Sequence, residues 1–218
     1  MLAESALPDG TVIKLTRRGD EYLILADGAP LMTSRMHSSE EMLATLACQH
    51  ARSLSTPAVL IGGLGMGFTL RAALDLLPPG ATIVVAELAP AIVQWNRGPL
   101  GHLAQHPLSD KRVRLATADV ADVINSSVEQ FDAVILDVDN GPAAFTVPAN
   151  SALYDRLGLA AAHQALKSDG VLAVWAIQLN AKFVKLLRAG QFEPQVHHVR
   201  GHTVKRGPRH TIYLARKS

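Results

Sequence analysis

The chain of 218 residues has one cysteine, Cys48, so it lacks a partner for an intrachain disulfide and the thiolate set of a multi-cysteine zinc site. A lone thiol fits a reducing compartment. Aromatic residues make up only 5% of the sequence, which leaves its core to Ala, Val, Leu and Ile. Long apolar runs are missing as well. The longest, Val59–Phe68 and Val171–Ile177, are too short to span a bilayer. The first ten residues carry acids and no basic, apolar leader, so no secretion signal is expected there. Nor is there an excess of one charge: 21 Lys and Arg stand against 19 Asp and Glu, and a net +2 is too small to argue for nucleic acid. What is present is 48% hydrophobic residues and a mean hydropathy of +0.16, a composition that excludes disorder. The expectation is a cytoplasmic protein with neither membrane nor nucleic acid as partner. Its length suits one full domain with a small appendage.

The patterning divides near residue 36. Thr11–Thr16 alternates apolar and polar residues, Glu21–Leu25 follows a turn at Gly19-Asp20, and Leu31–Thr33 follows Asp27-Gly28. Residues 1–36 therefore read as a small antiparallel β domain and 37–218 as the main domain. Ser38-Ser39-Glu40-Glu41 ahead of Met42, Leu43, Leu46 and Ala47 reads as a capped helix. From Ala58 onward, apolar strands alternate with helices. The expected strands are Ala58–Gly62, Thr82–Glu87, Val113–Thr117, Phe131–Asp137 and Gly170–Ile177. The expected helices are Thr69–Leu77, Pro90–Arg97, Val120–Ser126, Ala152–Leu166 and Ala181–Ala189. Strands apolar on both faces with helices between them imply a parallel sheet covered on both sides. Phe192–Val199 and His210–Ala215 have no helix between them, so the last of seven strands is expected to run antiparallel.

In such sheets ligands sit beyond the carboxyl ends of the strands, and the chemistry-bearing residues lie there. Gly62, Gly63, Gly65 and Gly67 follow the first strand as a turn that lets a backbone approach a ligand ahead of a helix N-terminus. Alone, that turn is equally a plain strand-to-helix connection. Glu87 ends the second strand about 20 residues later, where a carboxylate accepts ribose hydroxyls. Asp119, after the third strand, can cap a helix or accept an adenine amino group. Asp137 and Asp139 close the fourth strand, and neighbouring carboxylates suit a general base or a cation site. Asn140-Gly141-Pro142 there is also a turn signal. The glycine spacing is G-x-G-x-G, not the G-x-G-x-x-G of dinucleotide enzymes. With the antiparallel last strand it favours an S-adenosylmethionine-dependent methyltransferase-like Rossmann fold. His197, His198, His202 and His210 lie among basic residues and lack a ligand spacing, so no metal is expected.

The order of β appendage, Ile61-Gly62-Gly63-Leu64-Gly65-Met66-Gly67, Glu87, Asp119 and Ile135-Leu136-Asp137 with Gly141-Pro142 resembles the spermidine/spermine synthase family. Asn150–Tyr154 and Glu41-Met42-Leu43 resemble it too. The resemblance implies transfer of an aminopropyl group from decarboxylated S-adenosylmethionine, as co-substrate, to a small-molecule amine, releasing methylthioadenosine. It implies that Gly63, Gly65 and Gly67 shape the nucleoside pocket, Glu87 holds ribose and Asp119 holds adenine. Asp137 would deprotonate the amine and Tyr154 would position it. It implies a homodimer with no tightly bound cofactor. Where the family's glycine loop carries an Asp, this chain has Gly65-Met66, and its fourth-strand motif is shorter. A methyltransferase using S-adenosylmethionine itself, or a non-catalytic relative binding an adenosine-type ligand, are the alternatives.

Overall fold

The computed structural model describes residues 1–7, 10–138, 141–143, 152–201 and 208–218. Four short strands come first: β1 (Ala3–Ala6), β2 (Val12–Arg18), β3 (Glu21–Ala26) and β4 (Ala29–Thr33), hydrogen-bonded in that order, each antiparallel to the next. Asp27 and Gly28, with φ of 47° and 82°, supply the left-handed pair that a tight β3–β4 hairpin needs. Alternation in β2 and β3 buries Ile13, Leu15, Tyr22 and Ile24, and these pack into the same apolar cluster as Leu43, Val59, Ile61 and Ile83 of the larger sheet's layer. β1 had no expected counterpart. Ala-Glu-Ser-Ala has weak strand propensity, and it is held by backbone pairing, Ala3 opposite Leu15 through Ala6 opposite Val12.

The main sheet is built from β5 (Ala58–Gly62), β6 (Thr82–Ala86), β7 (Val113–Ala116), β8 (Phe131–Leu136), β9 (Leu166–Ala176), β10 (Phe192–Arg200) and β11 (Arg209–Lys217). Its order is β10-β11-β9-β8-β5-β6-β7. β5 through β9 pair in parallel, while β11 is antiparallel to both its neighbours. This is the expected seven-stranded methyltransferase-like sheet with an antiparallel last strand. All six residues of β8 are buried, as a central strand covered on both faces requires. The helices are α1 (Ser38–Ala47), α2 (Phe68–Leu76), α3 (Pro90–Arg97), α4 (Val120–Asn125), α5 (Arg156–Ala165) and α6 (Ala181–Ala189).

Two boundaries differ from expectation by four residues, the others by no more than two. α5 starts at Arg156, not Ala152, because the Asp155 carboxylate accepts the N–H groups of Leu157 and Gly158 and so fixes the cap there. β9 starts at Leu166, not Gly170, so this strand runs directly on from α5. α1 begins where the sequence places it, but without a serine cap. Its N-cap is His37, which makes no capping bond and turns Nδ1 to Glu41 at 2.9 Å.

The chain runs β5, β6, β7 toward one edge and returns to place β8 on the other side of β5. The topological switch therefore lies between the carboxyl ends of β5 and β8, the place where open sheets of this kind bind ligands.

Candidate active site at the switch point

Gly62–Gly67 leaves β5 at that point. Gly63 has φ of 88°, and a Cβ on it would come within 2.5 Å of the Asp137 carbonyl oxygen. Both facts demand glycine. The loop and the end of β8 are tied together by the Asp137 N–H donating to the Gly62 carbonyl at 3.0 Å. Gly65 is in the left-handed region too, and Met32 of β4 lies against it. The N-terminal sheet thus reaches the loop. From below, the Asn96 amide of α3 donates to the Gly65 carbonyl at 2.8 Å.

Glu87 follows β6 and is 9% exposed. One carboxylate oxygen accepts the Leu64 N–H at 2.9 Å and the other the Ala89 N–H at 2.8 Å. Burial raises its pKa, and these backbone donors oppose that rise. Its evident task is to brace the glycine loop. The N–H groups of Gly65 and Leu88 also favour its charged form, so the loop and the start of α3 both bear on this one carboxylate. Asp119 caps α4, its carboxylate accepting the Ala121 N–H at 2.8 Å. Of the two roles the sequence allows it, the capping one is formed.

Asp137 directly follows β8 at the switch point. Its carboxylate accepts the Thr69 hydroxyl of α2 at 2.5 Å. The residue keeps some surface open, yet desolvation raises its pKa to about 6 against the lowering effect of Thr69. Glu40 of α1 joins it. Only 8% exposed, Glu40 has its pKa raised to about 7, first by burial and then by the charge of Asp137. The Ser39 hydroxyl donates to Glu40 Oε2 at 2.5 Å. Near the start of the same helix, His37 stacks on Phe68, the first residue of α2, with ring centroids 4.1 Å apart.

Tyr154 is buried, edge-on to Phe183, and its hydroxyl donates to the Val138 carbonyl at 3.4 Å. It supports the segment after Asp137 from the α5 side. Asp139 lies outside the described residues, as do Asn150, Ser151 and His202. Among the described residues, no group of three or more His, Cys, Asp or Glu gathers as a metal would require. No described helix is long and apolar enough to cross a membrane.

Sequence reasoning missed Glu40, Thr69 and Asn96. Glu40 had a visible signal. With Leu43, Ala44 and Ala47 it occupies the i, i+3, i+4, i+7 stripe that α1 buries, so a charge had been placed on an apolar face.

Residues 36–190 match the spermine/spermidine synthase domain family. No curated protein sequence matches the chain. Spermidine synthase in complex with the transition-state analogue AdoDATO superposes with a TM-score of 0.74 at 20% identity, covering 100% of this chain and 72% of that one. Spermidine synthase from Thermotoga maritima gives 0.75 at 20% identity, over 100% and 72%. A probable spermidine synthase from Corynebacterium glutamicum ATCC 13032 gives 0.68 at 18% identity, over 100% and 80%. At these identities the likeness establishes the fold.

Proposed function

The chain belongs to the spermine/spermidine synthase family, and from that premise we propose that it transfers an aminopropyl group from decarboxylated S-adenosylmethionine to a small-molecule amine, releasing methylthioadenosine. The observation that carries the reading is Asp137. It lies at the topological switch, under the glycine loop, with its pKa raised to about 6 by burial and its carboxylate held by Thr69. A base poised near the working pH is what removal of a proton from an attacking amine requires. The remaining demand is in-line placement of amine nitrogen, methylene carbon and sulfonium sulfur.

In this reading, Gly63, Gly65 and Gly67 carry the nucleoside, and Glu87 accepts ribose hydroxyls. Asp119 contributes on the adenine side, and Tyr154, whose hydroxyl meets the Val138 carbonyl beside Asp137, positions the amine. Asp139, two residues on in sequence, is the second acid of the proposal. A homodimer is part of the proposal. Supporting it are the two edge strands of the N-terminal sheet, unpaired on their outer sides among the described residues, near which Leu2 (50%) and Leu31 (54%) are exposed. Against a methyltransferase, the donor carboxylate of intact S-adenosylmethionine would add an anion beside Asp137 and Glu40. Among the described residues, neither acid is ion-paired with Lys, Arg or His. Calorimetry with three ligands tests the assignment. Methylthioadenosine and the decarboxylated donor should bind, the latter more tightly than S-adenosylmethionine. Tighter binding of S-adenosylmethionine, or binding of none at millimolar concentration, would overturn it.

A further inference from the structure

The proposed reaction uses Asp137 and assigns nothing to Glu40, whose placement is costly. Its side chain is on the buried stripe of α1, 8% exposed. Buried acids are ordinarily answered by a cation or a metal. Asp132 shows the ordinary solution in this same protein: 6% exposed, it accepts the Lys167 ammonium at 2.7 Å and the Ala58 N–H at 2.7 Å. Glu40 receives the Ser39 hydroxyl and Asp137 the Thr69 hydroxyl, both neutral donors. None of the ion pairs among the described residues includes either acid.

Helix chemistry does not account for Glu40. Acids in a first turn interact favourably with the helix dipole, and Glu41, half-exposed and bonded to His37, has that position in α1 as well. An acid serving only the dipole would have its charged form favoured. Glu40 instead has its charged form disfavoured, by burial and then by Asp137. Two carboxylates from distant parts of the chain, one on α1 and one directly after β8, converge where α1 packs against both α2 and β8; the charge of Asp137 acts on Glu40 there, and hydroxyls from Ser39 and from Thr69 of α2 hold one oxygen of each acid. A carboxylate offers about four lone-pair sites, so each retains acceptor capacity. An ammonium group has three N–H donors to share between them.

We propose that Glu40 is a ligand-binding residue of this site, forming with Asp137 a two-carboxylate cradle for one primary ammonium group of the substrate. The bound cation then supplies the counter-charge that no described residue provides. The inference rests on the proposed aminopropyl transfer, in which the donor and the acceptor each carry such a group.

The test compares wild type, Glu40→Gln and Glu40→Asp by calorimetry with three probes. These are methylthioadenosine alone, which lacks an ammonium; decarboxylated S-adenosylmethionine; and 1,4-diaminobutane in the presence of methylthioadenosine. Glu40→Gln keeps the size and the Ser39 contact while removing the charge. It should leave methylthioadenosine within about twofold of wild type and weaken one ammonium ligand by about tenfold or more, as loss of a charged hydrogen bond implies. Whichever ligand weakens identifies whose ammonium is held. Glu40→Asp should recover part of the loss. Equal weakening of all three probes, or of none, overturns the role of Glu40 while leaving the adenosine site intact. A wild-type protein that binds no probe overturns the functional reading, and this inference with it.

Discussion

Replacing Thr69 by Val removes one hydroxyl at nearly constant volume and leaves Asp137 without the one side-chain hydrogen-bond donor it has among the described residues. A hydrogen bond to a charged group contributes about 1.5–3 kcal/mol. At about 1.4 kcal/mol per pKa unit, its loss raises the Asp137 pKa by about one to two units. From about 6, the value moves to about 7–8. At pH 7 the ionised fraction then falls from about nine-tenths to between about a half and a tenth. Activity at pH 7 should drop about two- to tenfold and return above pH 8.5, with the acidic limb of the pH–rate profile displaced upward by the same one to two units. Carboxyl-carbon NMR of the ligand-free protein follows Asp137 directly and needs no turnover. If the variant is folded and neither the NMR titration nor the acidic limb moves, Asp137 is not the group whose charge Thr69 supports.

Gly63→Ala combines a φ of 88° with a Cβ at 2.5 Å from backbone. It should cost about 2 kcal/mol or more, whereas Gly28→Ala, whose Cβ meets nothing within 4 Å, should cost about 1 kcal/mol; urea unfolding of both variants separates collision from conformational strain. Stability should also depend on pH through Glu40 and Asp137. Both folded pKa values are raised, from 4.5 to about 7 and from 3.8 to about 6, so the native state binds more protons than the unfolded chain across that interval. Their contribution is fully present below about pH 4 and is lost as pH rises to about 7. Glu40→Gln removes one of the two titrating groups, and its urea midpoint relative to wild type should rise between pH 5 and pH 8. A difference that stays flat over that interval would contradict the raised Glu40 value.

The sheet was legible because buried parallel strands write themselves as continuous apolar runs. Val59-Leu60-Ile61, Ile83-Val84-Val85 and Ala133–Leu136 all fall within strands. The strand-end positions of Glu87, Asp119 and Asp137 were legible for the same reason, since a strand's last residue is marked by the break in its run. What escaped were features that depend on pairing across the chain. β1 exists only because β2 offers it an edge, and the start of α5 was decided by Asp155 finding two N–H donors. Thr69 reads as an ordinary helix residue until β8 lies beside it. Glu40 was the readable exception, a charge on a stripe otherwise made of Leu and Ala, and its meaning appeared only once the fold brought Asp137 alongside. The second acid expected at the loop, Asp139, lies outside the described residues, so the acidic pair that the structure displays is a different one from the pair read in the sequence.

The central claim is that the switch-point crevice performs aminopropyl transfer with Asp137 as base. Its most direct test is release of methylthioadenosine, measured by chromatography after incubating the protein with decarboxylated S-adenosylmethionine and a mixture of polyamines, beside the Asp137→Asn variant. Wild type should release methylthioadenosine in an amine-dependent manner, and the variant should be slower by at least about a hundredfold, the usual contribution of a positioned base. Absence of release by wild type with every amine, or a variant as fast as wild type, would contradict the account.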